Sequence, residues 1–145
     1  MYITIKPAKF SDVDTMCEWG AAHQELWGDK HGWYTKKSIR LMITDPREHV
    51  TLVARDGEIL VGMCIGYNLR DWAMIDTLFV VEAYQGKGVG KLLLETAIDM
   101  LSQQGCEQFA LLVNRTNHQA EGFYEKLGFE KSFEFVWMQK GMKHE

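Results

Sequence analysis

The sequence predicts an α/β (α+β) domain in which helices cover both faces of a central, mixed but mostly antiparallel sheet. Three observations carry that prediction. Strand-like and helix-like periods follow one another along the whole chain in the order β-α-α-β-β-β-α-β-α-β. The strongest helical pattern opens directly after a strand that is apolar on both faces, as a strand covered on both sides must be. The chain has 145 residues, 46% hydrophobic, with two prolines and no linker or repeat, so residues 1–145 are expected to form one domain.

Each element has its local reason. Ile3 and Ile5 alternate with polar neighbours up to Pro7 as a first strand. Ser11 with Asp14 has the spacing of a capping box, and Val13, Met16, Cys17, Gly20 and Ala21 then recur at helical spacing towards Gly28. Thr35 is expected to cap a second helix that turns Ile39, Met42 and Ile43 inward and stops before Pro46. Val50 to Arg55 and Glu58 to Tyr67 read as a hairpin through Asp56-Gly57, whose glycine tolerates a positive φ. Trp72 to Val81 is the central strand and Val89 to Gln104 the long helix, with Leu93, Ala97, Met100 and Leu101 inward and Gly105 as its left-handed stop. Glu107 to Val113 is a strand, Asn117 to Leu127 a helix closed by Gly128, and Phe133 to Lys140 a final strand.

Composition narrows the function classes. Sixteen basic against twenty acidic residues give a net charge of −4, which offers no basic face for nucleic acid. The longest apolar run, Phe109 to Val113, is far short of the roughly 20 residues that span a bilayer, and the first residues lack the apolar core of a signal peptide. The expectation is a soluble cytoplasmic protein with no nucleic-acid or membrane partner. Cys17, Cys64 and Cys106 are odd in number and far apart, and read as reduced, mostly buried thiols. The five histidines form no H-x-x-x-H or Cys/His cluster, so no metal is expected.

The chemistry lies in Tyr84-Gln85-Gly86-Lys87-Gly88-Val89-Gly90-Lys91, between the central strand and the long helix. A loop there aims several N–H groups at one point, the helix dipole adds partial positive charge, and glycine lets a phosphate oxygen come close. A Walker A motif fails because Gln85 stands at its first glycine and Leu92 follows Gly90-Lys91. A dinucleotide fingerprint fails because Lys91 or Leu93 stands where its last glycine belongs. The pattern [Q/R]-x-x-G-x-[G/A], met by Gln85, Gly88 and Gly90, does fit. With it the chain resembles the GNAT superfamily of acetyl-CoA-dependent N-acetyltransferases. Ile75-Asp76-Thr77-Leu78-Phe79-Val80 resembles that family's fourth strand, and Asn117-x-x-Ala120-x-x-Phe123-Tyr124-x-x-Leu127-Gly128-Phe129 its next signature. Ile5-Lys6-Pro7-Ala8 with Asp12 is similar to its opening.

The resemblance implies a set of roles. Backbone groups of Leu78, Phe79 and Val80 would pair with the pantetheine arm of acetyl-CoA as a false strand. The amides of Gly86, Lys87, Gly88, Val89, Gly90 and Lys91 would hold the pyrophosphate, with Gln85 bracing the loop and the two lysines adding charge at its rim. Asn117 would touch the pantetheine or adenosine side, and Tyr124 would give a proton to the departing thiolate. An N–H near Val80 would face the oxyanion.

An alkyl ammonium with a pKa near 10.4 is neutral in only about 0.04% of molecules at pH 7, so the reaction needs a proton acceptor. Small-amine branches of the family carry an acid where Asp76 stands; Glu82, Glu25 or a water chain are the other candidates. Branches acting on protein amino termini tend to carry a glutamate at the position of Leu112, which is absent here. Glu25, Trp27, Asp29, Trp33 and Tyr34 combine carboxylates and rings suited to an ammonium. The expected function is therefore N-acetylation of a small cationic amine by direct attack in a ternary complex. A protein N-acetyltransferase and a non-catalytic acyl-CoA sensor remain the alternatives, and a homodimer stays open.

Overall fold

The structure, a computed structural model, describes residues 1–23, 34–45 and 48–141. It divides into two compact units, Met1–Leu112 and Val113–Glu145. The first holds β1 (Ile3–Pro7), a 3-10 turn (Phe10–Asp12), α1 (Val13–Ala22), α2 (Lys36–Thr44), β2 (His49–Asp56), β3 (Ile59–Asn68) and β4 (Trp72–Val80). A second 3-10 turn (Glu82–Tyr84), the long helix α3 (Val89–Gln103) and β5 (Gln108–Leu111) complete it. The second unit holds α4 (His118–Lys126) and the segment that follows. The sheet runs β1-β2-β3-β4-β5, antiparallel except for the parallel β4–β5 pair. Among the described residues no helix is long and apolar enough to cross a membrane.

Strand β3 shows how the two faces are built. Met63 and Ile65 join Val13, Met16, Ile39, Met42 and Val53 in the core under α1 and α2. Its other face carries small residues, and α3 comes in close over them. A Cβ added at Gly62 would lie 3.0 Å from the Leu93 Cδ1, and one at Gly66 3.0 Å from the Leu101 Cδ1. Leu93, Leu94, Ala97 and Leu101 are fully buried there, each leucine contributing about 1.5–3 kcal/mol relative to exposure. The helix that opens at the glycine loop is thereby fixed against the middle of the sheet.

Several local expectations are corrected. The first helical segment is entered through Lys9 and Asp12 instead of Ser11 and Asp14: the Lys9 N–H donates to the Asp12 carboxylate at 2.9 Å. Asp12, buried, also takes the Arg55 guanidinium at 2.6 Å, so its side chain ties this entry to β2. Ala21, at the rim of the apolar stripe in the last turn of α1, is exposed. The hairpin loop is Gly57-Glu58, one residue later than expected, because Asp56 still pairs with Ile59. Gly57 has φ +61° at the first loop position, as a type II′ turn requires. Thr35 does cap α2, exchanging hydrogen bonds with Ser38.

The final strand, Phe133 to Lys140, does not form. Residues 130–141 join no strand or helix, and Phe133, Phe135, Val136, Trp137 and Met138 are 66–88% exposed. Alternating aromatics supply two side-chain faces, but a strand exists only where its N–H and C=O groups meet a neighbouring ladder. Among the described residues the sheet therefore has five strands, where six were expected.

The close approach of α3 makes Gly62 a sensitive position. An alanine Cβ there would lie 2.8 Å from the Phe79 carbonyl oxygen as well as against Leu93. Gly62→Ala is expected to lower stability by about 1–3 kcal/mol, read as a fall in the denaturant midpoint. An unchanged midpoint would show that β4 and α3 can move aside at no cost.

Candidate functional site

The loop after β4 is a cradle built from backbone. Gly86 and Gly88 hold φ at +75° and +86°, and an added Cβ at either would project into open space. Gly88 is the N-cap of α3, so the amides of Val89, Gly90 and Lys91 have no carbonyl one turn back to receive them. Those donors, with the positive end of the helix dipole, suit an anion with several oxygens. The Gln85 side-chain amide donates to the Val80 carbonyl at 2.9 Å, spanning from the loop to the end of β4.

The entry to the loop is anchored separately. The Tyr84 hydroxyl donates to the Asp56 carboxylate at 2.6 Å, and that carboxylate also receives the Tyr2 N–H at 2.9 Å. The Tyr84 bond, then the Tyr2 bond, hold the Asp56 carboxyl below its usual range, and the same contact with Asp56 pushes the Tyr84 phenol up. The Lys87 ammonium lies 5.5 Å from the centre of the Tyr84 ring, a cation–π contact. Lys91 lies 3.9 Å from Glu95 on the exposed side of α3.

Beside the loop, β4 loses one neighbour. Its parallel pairing with β5 ends at Ile75 and Leu111, while its pairing with β3 continues to Val80. The Val81 N–H donates to the Val61 carbonyl at 2.9 Å, and the Phe79 carbonyl faces Gly62. Neighbouring residues of an antiparallel strand turn their backbone groups to opposite sides. Leu78 therefore presents its N–H and C=O, and Val80 its N–H, to the edge that β5 has left, the Val80 carbonyl being taken by Gln85, whereas Phe79 is committed to β3. The Phe79 ring packs against Trp19 and His23, with centroids 5.2 and 4.8 Å away.

Asp76 stands where the two strands part. Ile65 pairs with Thr77 and Gly66 with Ile75, so Asp76 is the extra residue of a β-bulge. Its carboxylate accepts the hydroxyl of Tyr34 and, at 3.2 Å, that of Thr77. Tyr34 in turn accepts the hydroxyl of Tyr67 from β3. Burial, then the Asp76 charge, push the Tyr34 phenol up, and burial raises that of Tyr67. Both hydroxyls stay protonated and able to donate.

The remaining candidates are distributed as follows. Glu25, Trp27, Asp29 and Trp33 lie outside the described residues, and Tyr34 alone of that group is placed beside Asp76. Glu82 is exposed in the 3-10 turn before the loop. Leu112 follows β5 and is exposed. In the second unit, the Asn117 side chain accepts the Ala120 N–H at 3.1 Å and caps α4. Tyr124, half-buried on α4, packs edge-on against Phe123 and Phe129 with centroids 5.1 and 5.8 Å away. Among the described residues no group of three or more His, Cys, Asp or Glu side chains is placed to hold a metal ion. Tyr67 and Asp56 escaped the sequence reading, because only their partners across the fold distinguish them from other strand-end residues.

Comparison with known proteins identifies the family and the fold. The family model described as acetyltransferase (GNAT) matches residues 14–129. N-alpha-acetyltransferase 30 of Schizosaccharomyces pombe is 30% identical over 134 residues, 88% of this chain and 83% of that protein. Two solved structures share the fold. The PaiA N-acetyltransferase of Thermoplasma acidophilum, in complex with coenzyme A, superposes with a TM-score of 0.77 at 24% identity, over 90% of this chain and 91% of that one. The aminoglycoside 6'-N-acetyltransferase AAC(6')-Ih of Acinetobacter baumannii gives 0.73 at 20% identity, over 98% and 100%. The family model spans most of the chain, and the chain belongs to the GNAT family of acetyl-CoA-dependent N-acetyltransferases.

Proposed function

We propose that this chain, acting as one domain over residues 1–145 in the cytoplasm, transfers the acetyl group of acetyl-CoA to a primary amine of a small cationic molecule. The observation that carries the reading is Asp76, an acid held by Tyr34 at the point where β4 leaves β5. The amides of residues 86–91 hold the pyrophosphate, with Gln85 keeping the loop against Val80. Leu78 receives the amide-bearing arm on the open edge of β4, and Asn117 adds a contact from its helix cap. The carboxylate of Asp76 draws in the ammonium and takes up its proton, with Tyr34 on the same subsite. The Val80 N–H faces the carbonyl oxygen on which negative charge develops. Tyr124 gives its hydroxyl proton to the departing thiolate.

A second reading, protein N-acetylation, rests on the likeness to N-alpha-acetyltransferase 30. The exposed Leu112, where a carboxylate would serve a protein amino terminus, favours the small amine.

Three outcomes are expected. Acetyl-CoA at 100 times its dissociation constant should stabilise the protein by about 2.7 kcal/mol, visible as a rise in Tm. Gly88→Val should abolish that rise, since the new side chain fills the cradle, and should also lower the unliganded Tm, since a β-branched residue is strained at φ +86°; no rise in the parent protein would end the reading. Tyr124→Phe keeps the ring packing, and should lower kcat by roughly 10²–10⁴ with acetyl-CoA binding intact. An unchanged kcat with chemistry rate-limiting would remove Tyr124 as the acid. Finally, polyamines, lysine analogues and aminoglycosides should outcompete amino-terminal peptides when offered together with acetyl-CoA and read by mass spectrometry, and Asp76→Asn should depress that turnover. Peptides winning by tenfold or more in kcat/KM would establish the second reading, and thiol release with no acceptor would be required of neither.

A further inference from the structure

We propose that Tyr67 is a positioning residue for the acceptor amine: from β3 it fixes the hydroxyl of Tyr34, and through it the carboxylate of Asp76. The inference rests on the small-amine reading and adds to it a residue that touches neither acetyl-CoA nor the reacting nitrogen.

The direction of the hydrogen-bond chain follows from donor count. An ionised carboxylate only accepts, so Tyr34 must give its one proton to Asp76. Tyr34 then has only lone pairs left for Tyr67, and Tyr67 must be the donor. Each hydroxyl therefore has one orientation, and the chain runs Tyr67 to Tyr34 to Asp76 with no alternative sense.

The anchor lies at the Tyr67 end. Tyr67 sits near the end of β3, opposite His49 and Met74 in the ladders on its two sides. Its ring meets the His49 ring edge-on at 5.2 Å and packs against the core under α1 and α2. Tyr34 immediately precedes the Thr35 cap of α2 and packs on the same core. Asp76 needs such a brace because a bulge residue has no ladder partner to set its direction. Thr77 supplies one donor from the neighbouring position, and the tyrosine chain supplies one from across the sheet. A carboxylate held from two directions presents its charge to one place, which is how a site distinguishes ammonium groups by position.

The test is a set of mutant cycles. Tyr67→Phe removes one hydroxyl and keeps the ring. It should raise KM for the acetylated amine about 3- to 10-fold, the effect of one lost hydrogen bond, with kcat within about twofold. The dissociation constant of acetyl-CoA and the Tm should not move. Tyr34→Phe should raise KM at least as much. The double variant should be no worse than Tyr34→Phe alone, and Tyr67→Phe should have no effect in an Asp76→Asn background. An unchanged KM in Tyr67→Phe, or full additivity with Tyr34→Phe, would overturn the proposal. A fall in Tm and acetyl-CoA affinity with KM unaltered would do so too, by showing a merely structural role. The amine panel decides the acceptor first. Should a peptide win there, the small-amine reading fails, and the same cycles run with that peptide still decide whether Tyr67 acts through Tyr34 and Asp76.

Discussion

Strand β4 shares hydrogen bonds with β3 as far as Val80 but with β5 only as far as Ile75. Backbone N–H and C=O groups are obligatory hydrogen bonders, and one left unpaired away from water costs about 1–3 kcal/mol. The N–H and C=O of Leu78 and the N–H of Val80 on the open edge therefore suit an extended partner that carries amides of its own. The bulge at Asp76 is the other consequence of the same divergence. One extra residue on β4, opposite β3, locally disrupts the ladder, and that residue follows directly on the last pair with β5. The strand edge proposed for the acetyl donor and the acid proposed for the acceptor thus arise from one local event in the sheet.

That event is useful only if the helix start arrives at the end of the same strand. Gly62 and Gly66 allow it, since larger residues at those places would lift α3 off β3 and move Gly88 with it. Gln85 then ties the loop to Val80, and Tyr84 ties its entry to Asp56 at the end of β2. None of these residues has to touch a ligand to matter. They bring a row of amides, each rigid in its own peptide plane, to a fixed distance from the open strand edge, which side chains on a free loop could not do.

The sequence made the loop legible because its chemistry is written in residue type. Only glycine holds φ at +86° at Gly88 without strain, and a long side chain with an N–H donor at Gln85 can reach back to a carbonyl. The long helix was legible from its period, and Thr35 from its capping spacing. The bulge was not, because a bulge is a property of two strands: nothing in Ile75-Asp76-Thr77 alone says that Gly66 pairs with Ile75 and Ile65 with Thr77. Tyr67 was hidden for the same reason, its role being set by a residue 33 positions earlier. Phe133 to Lys140 shows the opposite error, where a clear alternation forms no strand. Residue type and period reach only as far as local structure does.

The net charge of −4 also conceals an ordered arrangement of charge along β4. At one end of the strand's open edge stands Asp76; at the other, past Val80, are the helix-start amides of α3. From Asp76 to Val80 the strand rises about 13 Å, at about 3.3 Å per residue, and the helix-start amides lie beyond that end. A phosphate and an ammonium are each drawn to one end of that line and repelled from the other, so the two substrates of the proposed reaction are sorted by sign before any shape is read. Between the ends lie the amides of Leu78 and Val80, which carry no net charge and favour neither. A reaction that must join an anionic donor to a cationic acceptor needs its neutral reacting atoms at the middle, and the polarity of this one strand supplies that order.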